Sequence, residues 1–389
     1  MAVSGLADGD GGMQHMLIDS LRFALERSEC LDGFWSNLDA GDDGTLGIAN
    51  SARPFMVAAR FSHKPQSTLA VVAGEDAAVS FARSLSAYLG EDKVLRFPER
   101  ADLPFDKKHA DLATVARRME AAHALQTGRQ VVVVTSARAL LRTLPPANAN
   151  ASTPLSFVCG QELADMPGAQ AAGIQDFDGL IHALESRGFS NTGELDGPGT
   201  FCTRGGTVDV YPGNLSFPVR LDFFGDELDA MGFFDPVTQR RTAQRETCEL
   251  LPAGEVLSLD GAPISGPPDL ALPQVYPQVA TAADYLPPNA LVALCDTPRV
   301  ADRAKNYLWQ LGEDITALLE QGVLTGKHPV FAETWEGLCA ALAKRTLLYF
   351  DSFTTGSPGV SAVADRPPAP RLRHQLRGRD RRFTSLSKV

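Results

Sequence analysis

At 389 residues, with 44% hydrophobic and 21% charged side chains, the chain has the make-up of ordinary globular protein and the length for two or three domains. A formal net charge of −11 argues against a protein whose main surface coats nucleic acid, because phosphate binding needs a positive footprint. Six cysteines (Cys30, Cys159, Cys202, Cys248, Cys295, Cys339) lie far apart with no C-x-x-C pair, which excludes a zinc knuckle or redox motif built from sequence neighbours and fits free thiols in a reducing compartment.

Residues 1–16 are rich in Gly and Asp and lack the basic and apolar regions of a secretory signal, so a disordered amino terminus is expected. No apolar run approaches the roughly 20 residues that span a bilayer, and the expectation is a cytoplasmic protein. A short helix is predicted over residues 18–27, followed by a polar stretch ending at Gly44. Residues 69–73 (LAVVA) and 131–135 (VVVVT) are compact Val-rich runs of the kind buried on both faces of a parallel sheet. Helical spacing over 77–89 and 111–125 separates them, giving βαβ units. Pro, Asn, Ser and Thr over 145–154 mark a domain boundary. Beyond it, 177–187 reads as a helix closed by Gly188, and 207–211, 217–224 and 227–234 read as an antiparallel meander with a turn at Gly225-Asp226. Residues 252–277 look like a connector, 291–295 a buried strand and 299–321 a long helix. Residues 349–352 are expected to begin a further domain, and 366–389, basic and Pro-rich, to be disordered.

The stretch from Gly47 to Pro54 sits where a phosphate-binding loop belongs in such a fold, and its register against G-x-x-x-x-G-K-[ST] fails at the positions that matter. Ala52 replaces the second glycine, Arg53 replaces the lysine, and Pro54 has neither the hydroxyl for Mg²⁺ nor an N–H to donate. The companion acidic motif is also degenerate, since the strand 291–295 ends in Asp296-Thr297 rather than two carboxylates. On spacing alone, neither segment need ever have been a nucleotide site. Scattered histidines and the absence of a Cys/Asp partner leave no metal site, and the acidic residues Asp222, Asp226, Glu227 and Asp229 read as a solvated hairpin edge. No cofactor and no catalytic residue is expected.

Two stretches carry a resemblance: residues 97–106 (FPERADLPFD), and residues 199–212 (GTFCTRGGTVDVYP) continuing through 218–229 (PVRLDFFGDELD) to 234–240 (FDPVTQR). They resemble the module shared by the excinuclease component UvrB and the bacterial transcription-repair-coupling factors, a similarity that extends over residues 17 to 353 and includes 284–294 (DYLPPNALVAL), of the coupling-factor type. The degenerate phosphate loop favours the coupling factors, in which that loop is a relic. The resemblance implies an α/β fold: a degenerate RecA-like (P-loop NTPase-like) parallel-sheet domain with an inserted smaller α+β UvrB-interaction domain.

The division it implies is a disordered 1–16, a first RecA-like part 17–146, an inserted docking domain 147–215, a second RecA-like part with connector 216–345, the start of a further domain 346–365 and a basic tail 366–389. It further implies a non-catalytic docking role, with the damage-recognition protein UvrA bound through arginines flanking the F-x-x-R-G strand. Arg204 matches one of these, whereas Ser190 stands where the family pattern has the other. RNA polymerase and double-stranded DNA are implied as partners only of domains beyond residue 389. The alternatives are a UvrB-like ATPase, which requires nucleotide binding at 47–54, and a non-functional piece of a broken coupling-factor gene.

Overall fold

The computed structural model describes residues 29–105, 111–147, 154–257, 268–326 and 328–351. The expectations for residues 1–27 and for the tail beyond 351 lie outside these. In chain order the elements are α1 (Glu29–Asp39), β1 (Gly44–Gly47), α2 (Arg53–His63), β2 (Thr68–Val72), α3 (Glu75–Leu89), β3 (Val94–Phe97), α4 (Leu112–Gln126), β4 (Val132–Ser136) and α5 (Ala137–Leu141). There follow β5 (Leu155–Val158), α6 (Phe177–Ser186), β6 (Ser190–Asn191), β7 (Thr200–Arg204), β8 (Thr207–Tyr211), β9 (Val219–Phe224), β10 (Glu227–Phe234), β11 (Arg241–Arg245) and β12 (Thr247–Leu250). The chain then returns through α7 (Pro268–Val275), β13 (Leu291–Cys295), α8 (Thr297–Glu320), α9 (Trp335–Leu342) and β14 (Thr346–Asp351).

The Val-rich runs do what their composition dictates. β2, β4 and β13 are buried along their whole length in a six-stranded sheet of order β1-β14-β13-β2-β4-β3, every pairing parallel. One face packs on Phe34, Met56, Phe61, Phe81 and Leu85 from α1 to α3, the other on Leu125, Leu140, Val300 and Leu338 from α4, α5, α8 and α9. A second six-stranded sheet, β11-β10-β9-β8-β7-β6, is antiparallel except for the β6–β7 pair. Its inner face (Val208, Val210, Val219, Leu221, Met231) closes on Leu180, Ala183 and Leu184 of α6. Alternation buries Val219, Leu221 and Phe223 and turns Arg220, Asp222 and Phe224 outward. The pair β5–β12 brackets this lobe, joining the segments by which the chain arrives and leaves. The architecture is thus α/β, a RecA-like parallel-sheet lobe interrupted by a smaller α+β lobe.

Two expected boundaries move. Residue 215 does not end the inserted lobe, because β9 pairs antiparallel with β8 (Val208↔Leu221) and β10 with β9, so the second sheet runs to Arg245. Nor do residues 346–351 open a new domain: β14 lies between β1 and β13 and completes the first sheet. A parallel partner about 300 residues away, Gly44 opposite Leu348, leaves no local signature.

Candidate functional site

The degenerate loop and the degenerate acidic motif, distant in sequence, meet at the carboxyl edge of the parallel sheet, where open α/β sheets place their ligands. β1 ends at Gly47, a single 3-10 turn (Asn50–Ala52) follows, and α2 starts at Arg53 with Pro54 in its first turn. The amide of Ala52 donates to the carbonyl of Ala49 at 3.0 Å, that of Arg53 donates to Asn50, and Pro54 has none. Successive backbone donors that a phosphate loop aims at its ligand are therefore committed within the chain.

The Arg53 side chain is buried, with Nη1 3.8 Å from Asp296 Oδ2. Asp296 holds a left-handed backbone (φ 67°), an uncommon state for a residue with a Cβ, at the sharp passage from β13 into α8. Thr297 is buried, and its amide donates to Asp351 Oδ1 at 3.2 Å. Burial pushes the Asp351 carboxyl above its ordinary range, opposed by that hydrogen bond. A cleft of about 430 Å³ opens beside them, bordered by Ser51, Arg53, Ser80, Asp296 and Arg299. The structure brings the loop and Asp296 of the sequence reading together and adds Asp351, whose carboxylate reaches the Thr297 amide because β14 lies between β1 and β13.

Arg204 stands elsewhere, at the exposed end of β7 on the outer face of the second sheet. Gly205 (φ +61) and Gly206 turn the chain into β8, and a Cβ on Gly206 would come 2.7 Å from the Phe223 carbonyl, so both are turn residues. Two other strand arginines of this face are engaged. Arg220 makes a bidentate pair with Asp209 (2.7 and 2.8 Å), and Arg241 pairs with Asp222, which also accepts from Thr207 Oγ1 at 2.8 Å. Among the described residues Arg204 makes no ion pair. It borders a polar hollow of about 270 Å³ with Glu194, Cys202, Asp209 and Val237. Ser190 is exposed on the edge strand β6 and opposite Thr200, at the far end of β7 from Arg204. The acidic cluster disperses: Asp226 accepts from the Phe177 amide at 2.9 Å, and no metal-holding group of His, Cys, Asp or Glu occurs among the described residues.

The FPERADLPFD stretch has a structural use that its sequence did not reveal. Arg100 and Asp102 enter a buried network with Arg118 of α4, Arg142 after α5, Glu255 where the second lobe ends, and Asp269 of α7. Arg100 Nη1 lies 2.8 Å from Glu255 Oε2, and Arg142 Nη2 lies 2.7 Å from Asp269 Oδ2 and 3.0 Å from Asp102 Oδ2. Arg118 pairs with the other oxygen of Glu255, donates to the Pro98 carbonyl at 2.7 Å and lies 4.0 Å over the Phe97 ring. Three guanidinium groups thus face three carboxylates, the balance that buried charge requires.

Comparison with known proteins finds a family match in the second lobe. Residues 173–255 match the family described as UvrB interaction domain, a span that begins before α6 and ends at Glu255. The chain is 32% identical to the transcription-repair-coupling factor of Myxococcus xanthus over 223 residues, covering 56% of this chain and 18% of that protein. With the transcription-repair-coupling factor of Bacillus subtilis it shares 22% identity over 380 residues, 86% of this chain and 31% of the relative. UvrABC system protein B of Thermosipho africanus is 24% identical over 230 residues, 55% of this chain and 32% of the relative. The chain thus spans less than a third of the length of these relatives. Its second lobe matches the UvrB interaction domain, and the chain is similar in sequence to the transcription-repair-coupling factors.

Proposed function

We propose that the second lobe is a docking module for UvrA in transcription-coupled nucleotide excision repair, and that the parallel-sheet lobe carries it without turning over nucleotide. The observation that carries the docking reading is Arg204: exposed at the end of a sheet matching the UvrB interaction domain, without an ion pair among the described residues, while Arg220 and Arg241 of the same face are held by carboxylates. An arginine in that state can take a partner's carboxylate with two parallel hydrogen bonds and no competing pair to break. Support for the non-catalytic reading is the committed amides of Ala52 and Arg53, together with an arginine drawn onto the one acid of the degenerate motif. Contacts with RNA polymerase and DNA belong, on this reading, to parts of the relatives that lie outside the matched span.

Calorimetry of the chain with purified UvrA tests this directly. Binding at micromolar or tighter affinity is expected, weakened at least tenfold by Arg204→Ala, the loss shrinking as salt rises because the contact is between charges. No binding by the folded wild-type chain overturns the docking reading. In a parallel titration with a fluorescent ATP analogue no saturable binding is expected; saturation that Arg53→Ala alters would make the chain a UvrB-like nucleotide binder instead.

A further inference from the structure

Phe223 and Phe224 are adjacent, and alternation sends them to opposite faces of β9. Phe223 is 9% exposed and packs edge-on against Phe177, with ring centroids 5.6 Å apart, whereas Phe224 is 85% exposed. An isolated exposed aromatic needs no explanation on a loose loop, but the backbone that carries this one is fixed by strand pairing. The following turn, with Gly225 at φ +64, is pinned where Asp226 accepts from the amides of Phe177 (side chain, 2.9 Å) and Leu163 (backbone, 2.9 Å). On the near side the Phe223 amide donates to the Gly206 carbonyl at 2.8 Å, tying the end of β9 to the turn that follows Arg204.

Register places Phe224 relative to Arg204. Arg204 pairs with Thr207 and Thr207 with Asp222, so the three share a row across the outer face, and Phe224 is the next outward residue on β9. Two strand spacings separate Arg204 from β9, about 10 Å. Asp222 is occupied by Arg241 and Thr207, while the exposed Glu227 lies directly opposite Phe224 on β10 and makes no ion pair among the described residues. This end of the sheet thus offers a guanidinium without an ion pair among the described residues and a solvated aromatic ring on a paired strand, two residue kinds enriched at interfaces.

We infer that Phe224 is the apolar anchor of the docking face, seated in an apolar pocket of the partner whose border carries the carboxylate that takes Arg204. The inference rests on the docking reading and adds the residue that supplies affinity where Arg204 supplies orientation.

The test sets Phe224→Ala beside Arg204→Ala, with UvrA as the probe and circular dichroism confirming the fold. Phe224→Ala is expected to weaken binding at least tenfold by the same factor at low and high salt, unlike Arg204→Ala, with Phe224→Leu retaining most of the affinity. Wild-type binding that Phe224→Ala leaves within twofold overturns the inference while the docking reading stands. No binding by the wild-type chain overturns both. Sedimentation that shows a dimer of this chain abolished by Phe224→Ala also overturns it, since the pocket would then belong to a second copy.

Discussion

Glu255 is 7% exposed between Arg100 and Arg118, and these surroundings make part of the protein's stability depend on pH. Burial alone would raise its carboxyl; Arg118 and Arg100, with Arg142 beyond them, outweigh burial and bring it from 4.5 down to about 2. Because the folded value lies below the unfolded one, the stabilisation is fully present above pH about 4.5 and is lost as pH falls toward about 2. Glu255→Gln keeps the shape, leaves two buried guanidinium groups under-compensated, and is expected to cost about 3–5 kcal/mol at neutral pH. Urea unfolding at pH 7 and pH 3 checks both parts: the wild type should lose stability between the two and the variant lose less. An unchanged midpoint for the variant at pH 7 would remove the network from the account of stability. None of this was visible in the sequence, where Arg100 and Asp102 appeared only as part of a recognisable stretch and Glu255 as part of a connector. Arg53 and Asp296 were found because each occupies a fixed place in a known motif, whereas Asp351 has no motif and depends on where β14 lies.

At the scale of elements, local pattern carried the reading where a strand's partner is near in sequence. β8 and β13 fall on the residues expected of them, and the β9–β10 hairpin turns at Gly225 as its composition requires. Parallel pairing fared worse, since β1, β13 and β14 find one another through contacts no short window contains. The same holds for α4. Its apolar spacing predicted a helix, but the helix serves two lobes: Leu125 faces the parallel sheet, while Ala116 meets the loop after β8. There Gly213 approaches so closely that a Cβ would lie 2.0 Å from the Ala116 Cβ and 3.1 Å from its Cα. Gly213→Ala is therefore expected to destabilise by about 1–3 kcal/mol through overpacking, although alanine at an ordinary exposed loop position costs little. Chemical unfolding of Gly213→Ala beside Gly193→Ala, whose Cβ meets nothing within 4 Å, separates the two effects. Equal stability of the pair would show that the loop does not pack as closely as Gly213 implies.

For the whole molecule the question is what makes two cores act as one body. The parallel-sheet lobe and the inserted lobe have separate apolar clusters, which by themselves favour independent unfolding. Between them lie the α4 contact at Gly213 and the buried charges, with Arg100, Arg118 and Arg142 from the first lobe, Glu255 from the end of the second, and Asp269 from the returning chain. Opening either lobe alone would strand desolvated charges away from their partners, so the network couples the two unfolding reactions more strongly than an apolar contact of similar size. Scanning calorimetry of the wild type is expected to show a single transition with equal calorimetric and van't Hoff enthalpies, and Glu255→Gln to split it in two. Two transitions already in the wild type would mean that the second sheet is tethered rather than held. On the docking reading, Arg204 and Phe224 would then meet a partner without a fixed bearing on the parallel-sheet lobe, and binding at the proposed docking face could not be transmitted through the charges at its base.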